Sequence, residues 1–408
     1  MLAETPAVFI LLGLVAYTVL AGADFGAGFW TLASPGGPTG TAIRDHARHA
    51  MGPVWEANHV WLIFVLVVCW TAYPVAYASI VSTLAVPLFI AAIGIVLRGA
   101  AYALRGQLDT AGGRRGIENV FALSSVLTPF ALGTVAGAIA AGRVPVGNAE
   151  GNALTSWLNP TSVLIGLLAV AISGFLAAVY LAADARRLGD HELEHTFRSR
   201  ALWTGAVTGA LALAALLVVR LDAPLLWDGF TRGGGLLMVG VSAAAGLATL
   251  ALVWRSHFGW ARVSAALAVA AIVAGWAVAQ EPRFLPGLTV SQAAAGRSTL
   301  TAVVTSVVVG AVVLVPSLML LFGLLLRGRF DAGAESGPRD VEVQSATDGH
   351  RPGLVAAFAL GCLLVGAGLL VFAGAGWLYA VAVACLCGCA AAAFVLATTT
   401  PEEADTRP

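Results

Sequence analysis

Long runs of apolar residues, broken by short polar segments, make up most of the chain. The hydrocarbon core of a membrane is about 30 Å thick, so an apolar helix of about 20 residues crosses it. The runs are continuously apolar rather than alternating, which argues against strands, because open sheet edges cannot face lipid. The pattern therefore predicts eleven transmembrane helices, at residues 6–32, 54–73, 77–103, 117–141, 161–183, 201–220, 233–254, 260–279, 299–326, 353–373 and 376–397.

The longest polar connection separates the ninth predicted helix from the tenth. Residues 327–352 mix both signs of charge with Gly and Pro, a composition typical of a flexible linker. The predicted fold is an all-α polytopic membrane protein with a nine-helix body and two extra C-terminal transmembrane helices. The corresponding domains are a transmembrane domain at 1–330, a cytoplasmic linker at 331–352, and a two-helix extension with a short acidic tail at 353–408.

Composition supports this class. Of the 408 residues, 59% are hydrophobic and 11% are charged, whereas an ordinary soluble domain has about 25% charged residues. The formal net charge is zero, so the chain has no basic surface of the kind that binds nucleic acid. We expect an integral membrane protein in contact with membrane lipid.

Arginine placement predicts the orientation. Every basic residue is Arg; fifteen lie in the odd-numbered loops between predicted helices and five in the even-numbered loops. Short loops that are rich in positively charged residues lie on the cytoplasmic side of the membrane. The predicted topology places the N-terminus outside and the C-terminus in the cytoplasm.

Two segments carry ionisable groups where the pattern is otherwise apolar. Residues 22–28, Gly-Ala-Asp-Phe-Gly-Ala-Gly, contain Asp24 near the cytoplasmic end of the first predicted helix. Residues 52–61 contain Glu56 at the cytoplasmic start of the second. An ionisable group inside a membrane span is costly and indicates function. Two carboxylates at the same end of neighbouring helices predict a proton or cation entrance.

Neighbouring polar residues extend this hypothesis. Glu56 and His59 are three residues apart and share a helix face, and Asn58 and His59 could order water or share the proton. The simpler alternative places these side chains in solvent at the headgroup level, flanked by interfacial tryptophans. For Asp24, a helix-terminal cap is the alternative.

Arg98 near the end of the third predicted helix has three interpretations. It could pair with a buried carboxylate, contact a quinone or an anionic lipid, or extend to the cytoplasmic surface. Extension to the surface is the simplest interpretation from sequence. A mild polar stripe at the start of the fourth helix, including Ser125 and Thr128, predicts hydrogen bonds between helices.

Histidine and cysteine placement argues against a metal or haem in this chain. All histidines except His59 fall in or beside predicted loops, whereas a haem at mid-membrane needs axial His or Met ligands from spanning helices. Cys387 would face away from Cys385 and Cys389 on a helix, and no histidine lies near them. We expect these cysteines to act as small hydrophobic residues.

The segments at 22–28 and 52–61, in this order on the first two helices, resemble subunit II of the cytochrome bd-type quinol oxidases. Residues 98–101, Arg-Gly-Ala-Ala, resemble the same family. The resemblance covers about residues 1–330, where the nine predicted helices equal the family's nine. The last two predicted helices are a departure from the family pattern.

The resemblance implies a respiratory terminal oxidase of the bacterial plasma membrane, which oxidises quinol and reduces oxygen to water. This chain would be inactive alone and form a heterodimer with subunit I, which carries haem b and haem d, or a b-type haem in place of haem d. No cofactor is expected in this chain, although the family allows a structural quinone. The last two helices could pack where small single-span accessory subunits sit in relatives, or could be a lineage-specific addition that faces lipid.

The resemblance also implies proton delivery from the cytoplasm through acidic residues that correspond to Asp24 and Glu56. Well-known members have Asp where this chain has Glu56, a longer side chain with the same chemistry. An alternative from a different class is an autonomous proton- or cation-coupled transporter with the same two residues as its coupling site. The absence of a sequence repeat disfavours the transporter.

Overall fold

The computed structural model describes residues 2–51, 55–104 and 111–326, with isolated positions at 358, 360–362, 365, 381, 384, 385 and 388. The chain divides into two compact units, Met1–Leu320 and Leu321–Pro408. The predicted linker, Cys387, Cys389 and most of the two predicted C-terminal helices lie outside the described residues.

Helices make up nearly all of the first unit. In order they are α1 (Thr5–Leu32), α2 (Gly37–Met51), α3 (Trp55–Ala72), α4 (Pro74–Thr83), α5 (Ala85–Leu104), α6 (Ala111–Ala140), α7 (Pro160–Leu188), α8 (His191–Asp222), α9 (Pro224–Phe230), α10 (Gly233–Trp254), α11 (Phe258–Gln280), α12 (Val290–Ala293) and α13 (Arg297–Leu326).

Eight of these helices, within the described part of the chain, are long and apolar enough to cross a membrane: α1, α5, α6, α7, α8, α10, α11 and α13. The described apolar part of α3, Asn58–Ala72, is shorter. The predicted class, an all-α multi-pass membrane protein, is confirmed.

The third predicted helix is two helices in the structure. Residues 77–103 divide into α4 and α5, which meet at Leu84. Pro87 has no N–H to donate to the carbonyl of Thr83, four residues earlier, and its ring crowds that carbonyl, so a continuous helix is disfavoured here. Pro87 is the sequence signal that could have identified the division.

The polar connections also contain structure that the apolar pattern did not predict. Helix α2 occupies much of the first loop, and α8 begins ten residues before its predicted span at 201–220. Gly189, with a φ of 75°, ends α7, and the Asp190 side chain accepts a hydrogen bond from the Leu193 N–H to start α8. A two-stranded antiparallel sheet, β1 (Arg283–Leu285) and β2 (Leu288–Thr289), lies between α11 and α12.

Helices α1 and α7 lie at the centre of the packing. Helix α1 packs against α3, α6, α7 and α11, and the largest buried cluster joins α1 and α7 to α2, α8, α10 and α11. A Cβ on Gly26 would collide with the Ser173 carbonyl and lie 2.6 Å from the Ala177 Cβ. Glycine therefore permits close approach of α1 to α7.

The opposite face of α1 holds the polar groups. Tyr17, Asp24 and Gly28 are spaced at seven and four residues, so they share one helix face, while Gly22 and Gly26 face α7. The close α1–α7 contact thus directs Asp24 towards α3, α5 and α6.

Candidate functional site

Asp24 and Arg98 form an ion pair buried between α1 and α5. Arg98 Nη2 lies 2.5 Å from Asp24 Oδ1, and the two side chains are 1% and 3% exposed. The same nitrogen also donates to the backbone carbonyl of Asp24 at 3.0 Å. Burying two charges costs several kcal/mol per ion, which their attraction and added hydrogen bonds must offset. The pairing explains how this membrane span accommodates a carboxylate.

Helix α6 supplies a third group to the pair. Arg98 Nη1 donates to Ser125 Oγ, and Ser125 Oγ donates to the carbonyl of Phe121 at 2.6 Å. A Cβ on Gly28 would overlap the Ser125 side chain and lie 3.2 Å from Arg98 Nη1. The guanidinium therefore joins three helices at the point where Gly28 leaves room for it.

Aromatic rings enclose the guanidinium. Arg98 Cζ lies 4.9 Å from the centroid of the Phe25 ring and 4.3 Å from that of Phe121. At these distances the negative faces of the rings attract the cation. The rings also surround the guanidinium with apolar groups, and a lower local dielectric strengthens its attraction to Asp24.

His59 on α3 packs beside the pair. Its ring is in edge-to-face contact with Phe25 at 5.8 Å and with Tyr17 at 6.1 Å between centroids. Tyr17 and Phe25 contact each other at 6.5 Å between ring centroids. We refer to Tyr17, Asp24, Phe25, His59 and Arg98 as the α1 cluster.

The predicted site residues are partly brought together. Asn58 is buried, with Nδ2 donating to the carbonyl of Leu20 at 3.4 Å, and His59 is buried next to it. Glu56 lies in the first turn of α3, but its side chain is outside the described part of the structure. Asn58 and His59 therefore face the same segment of α1 that holds Asp24.

The structure differs from the sequence-based prediction at two residues, Arg98 and Tyr17. Arg98 does not extend to the membrane surface: it is 1% exposed, because Asp24 and Ser125 hold its head group inside the bundle. Tyr17 was not predicted as a site residue at all. Its spacing of seven residues from Asp24 was the available signal, but an aromatic residue in an apolar span is usually packing.

Two of the described histidines contact backbone carbonyls. His46 Nε2 lies 3.0 Å from the Leu181 carbonyl, and His49 Nδ1 lies 2.8 Å from the Asp45 carbonyl, both on α2 rather than on a spanning helix. His59 is enclosed by Tyr17 and Phe25. Among the described residues, no group of three or more His, Cys, Asp or Glu side chains could hold a metal ion.

Fold and site together define a multi-pass helical membrane protein with an ion pair buried between its helices. The profile of the family described as cytochrome bd terminal oxidase subunit II matches residues 2–325. The chain belongs to this family, so the resemblance noted from the sequence motifs is confirmed. Family membership gives no support to the transporter alternative.

Two relatives illustrate the similarity. Cytochrome bd ubiquinol oxidase subunit 2 of Bacillus subtilis (strain 168) is 25% identical over 189 residues, which are 46% of this chain and 53% of the relative. The chain thus matches about half the length of that curated relative. The solved structure of bd oxidase from Geobacillus thermodenitrificans matches with a TM-score of 0.66 and 26% identity, over 80% of this chain and 98% of the matched chain.

Proposed function

We propose that this chain is the haem-free subunit II of a quinol:oxygen oxidoreductase, an aerobic respiratory terminal oxidase. The observation that carries the proposal is the buried Asp24–Arg98 pair beside the first turns of α3, in a member of this family. The chain acts only with a haem-bearing subunit I, with which it forms a heterodimer. Quinol oxidation and oxygen reduction to water take place in that partner.

The proposed role of this chain in turnover is to deliver protons from the cytoplasm. Glu56, in the first turn of α3, takes up the proton, and Asn58 and His59 order water or share it. Asp24, on the adjacent helix α1, then receives the proton. The contact of His59 with Phe25 and the hydrogen bond of Asn58 to α1 support a short route between the two carboxylates.

The haems, b and d or a b-type replacement of haem d, are assigned to subunit I. The engagement of His46 and His49 with backbone carbonyls supports this assignment. Arg98 acts through its ion pair, since a side chain buried to this degree offers little surface to a lipid or quinone headgroup. A structural quinone elsewhere in the chain remains a family-based proposal.

The orientation and the C-terminal extension are also proposals. The arginine distribution supports an N-terminus outside the bacterial plasma membrane and a C-terminus in the cytoplasm. Residues 353–408 would form two further transmembrane helices beyond the body at 1–330 and the linker at 331–352.

The experiment that tests proton delivery is Glu56→Gln, which removes the exchangeable proton but preserves size. We expect the complex to assemble with an unchanged haem spectrum and oxygen uptake with quinol to fall about tenfold or more, since a positioned proton-transfer group contributes roughly 10²–10⁴-fold. Glu56→Asp should retain most activity. Glu150→Gln, the same change in the exposed loop between α6 and α7, is the matched control. Full oxidase activity in Glu56→Gln would overturn the proton-delivery role.

The partner assignment has its own test. The chain is purified in mild detergent, and a reduced-minus-oxidised spectrum is recorded. We expect a haem-bearing chain and quinol oxidase activity to co-purify. A solitary, stable, haem-free protein would contradict the oxidase proposal and favour the transporter.

A further inference from the structure

Tyr17 presents a buried hydroxyl that packing does not require. The residue is 6% exposed and belongs to an apolar cluster with Ala21 and Phe25, against which Trp61 and Leu132 pack. Its hydroxyl oxygen has no hydrogen-bond partner among the described residues. A hydroxyl in an apolar environment costs free energy unless it is hydrogen-bonded, and phenylalanine would fill the same space.

Asp24 presents a second such atom on the same face of α1. Arg98 binds Oδ1, whereas Oδ2 is buried and has no hydrogen-bond partner within the described part of the chain. Tyr17 lies seven residues before Asp24, so the two Cα atoms are about 10.5 Å apart along the helix axis, with both side chains on one side. The Phe25 ring contacts both the Tyr17 ring, at 6.5 Å between centroids, and Arg98 Cζ, at 4.9 Å.

Ordered water would supply the missing hydrogen-bond partners of the Tyr17 hydroxyl and Asp24 Oδ2. Buried polar atoms without a protein partner are commonly satisfied by internal water molecules, each making about three hydrogen bonds. A hydroxyl can donate one hydrogen bond and accept others, whereas an ionised carboxylate oxygen only accepts. Internal water that donates to Asp24 Oδ2 and hydrogen-bonds the Tyr17 hydroxyl would satisfy both atoms.

We propose that Tyr17 is a further proton-path residue, linked to Asp24 Oδ2 by one or more internal water molecules. The proposal rests on the proposed proton-delivery function and extends it to a residue deeper in the membrane than Asp24. In each transfer Asp24, protonated on Oδ2, gives its proton to the adjoining water, that water gives a proton to the Tyr17 oxygen, and Tyr17 gives its own hydroxyl proton to a water molecule on its other side, so each O–H bond that forms is matched by one that breaks. Charge and atom count at Tyr17 are the same before and after the transfer.

The ion pair explains why Asp24 can take part. Arg98 is held by Asp24, its carbonyl and Ser125, so it stays in place when the proton moves. Arg98 binds Asp24 Oδ1 and leaves Oδ2 without a hydrogen-bond partner among the described residues. The groups that face Tyr17 and can carry charge are therefore Asp24 on α1, His59 on α3 and Arg98 on α5.

The test is Tyr17→Phe in the complete oxidase complex, because this change removes the hydroxyl and keeps the ring contacts with Phe25 and His59. We expect an unchanged haem spectrum and melting temperature, oxygen uptake lowered about tenfold, and a larger solvent deuterium isotope effect on turnover. The matched control is Tyr73→Phe. Tyr73 is fully buried and its hydroxyl donates to the Ala3 carbonyl at 2.5 Å. Loss of this hydrogen bond should lower the melting temperature without changing the isotope effect.

The outcomes separate this inference from the function on which it rests. Normal turnover in Tyr17→Phe together with impaired turnover in Glu56→Gln would overturn only the role of Tyr17. Normal turnover in both variants would overturn the proton-delivery function as well.

A second measurement does not depend on activity. A cryo-electron-microscopy map of the intact complex at a resolution that shows ordered water should contain density between Tyr17 and Asp24. A map in which the Tyr17 hydroxyl instead donates directly to a protein group, with no water beside Asp24 Oδ2, would contradict the inference. It would do so even if oxygen uptake by the Tyr17→Phe complex were reduced.

Discussion

At the scale of single residues, Arg98 organises the site because one guanidinium satisfies several acceptors at once. Its two terminal nitrogens bind the Asp24 carboxylate, the Asp24 carbonyl and Ser125, while Phe25 and Phe121 enclose it. A planar guanidinium with five donors can do this, whereas a lysine ammonium is a compact point charge. The charge of Arg98 therefore serves both the electrostatics and the geometry of the site.

Removing Arg98 should destabilise the chain strongly. In Arg98→Leu the Asp24 carboxylate would remain buried without its cation, and breaking a buried ion pair in this way costs about 3–5 kcal/mol. We expect a large drop in the melting temperature measured in detergent. The double variant Asp24→Asn with Arg98→Leu should recover part of that drop, and Arg98→Lys should fall between wild type and Arg98→Leu. Equal melting temperatures for wild type and Arg98→Leu would show that the pair does not stabilise the fold.

At the scale of elements, one face of α1 packs against α7 and the opposite face carries the polar groups of the site. Gly22 and Gly26 bring α1 against α7, and the opposite face holds Tyr17 and Asp24 against α3, α5 and α6. Small residues at a helix contact in a membrane let the two backbones approach, and the attraction then comes from close packing. The position of Asp24 therefore depends on contacts made by the other side of its own helix.

This dependence predicts the effect of Gly26→Ala. The added methyl group would overlap the Ser173 carbonyl on α7, and because a backbone atom cannot rotate away, the helices must separate. We expect the free energy of unfolding to fall by about 1–3 kcal/mol, which a lower melting temperature would show. Oxidase turnover should also fall, because Asp24 shifts with α1.

Gly240→Ala on α10 is the matched control. A Cβ at Gly240 meets no atom within 4 Å, and alanine is the better helix former by about 1 kcal/mol, so stability should stay the same or rise. Similar losses in both variants would indicate a general effect of replacing glycine rather than the α1–α7 contact.

At the scale of the whole molecule, the multi-pass topology would determine from which side protons enter in the proposed function. The arginine distribution predicts that α2 lies on the cytoplasmic side and the loop between α6 and α7 lies outside. If so, the first turns of α3 open towards the cytoplasm. Protons taken up there would make quinol oxidation contribute to the membrane potential.

Single cysteine substitutions test this orientation. Thr39→Cys on α2 and Glu150→Cys in the loop between α6 and α7 both replace exposed residues. We expect a membrane-impermeant maleimide to label Glu150→Cys in intact cells and Thr39→Cys only after permeabilisation. The unsubstituted chain measures background labelling of the native cysteines. The reverse labelling pattern would invert the proposed direction of proton uptake.

The sequence by itself determined the class of the protein and most of its helices. Apolar runs longer than the hydrocarbon core leave few alternatives to transmembrane helices, because every backbone hydrogen bond must be made within the segment. The motifs around Asp24 and Glu56 identified the family for a related reason: ionisable residues are rare in such runs. Pro87 could also have been recognised as the end of a helix, since its effect on the backbone is local.

Only the tertiary structure decided which polar groups meet. Arg98 follows Asp24 by 74 positions along the chain, and whether it turns outward to water or inward to a carboxylate depends on how α1, α5 and α6 pack. The same packing buries the hydroxyl of Tyr17, which in the sequence is one more aromatic residue in an apolar run. A one-dimensional pattern specifies the face of a helix on which a residue lies, but the partner of that face is set by close contacts such as Gly26 against Ser173 and Gly28 against Ser125.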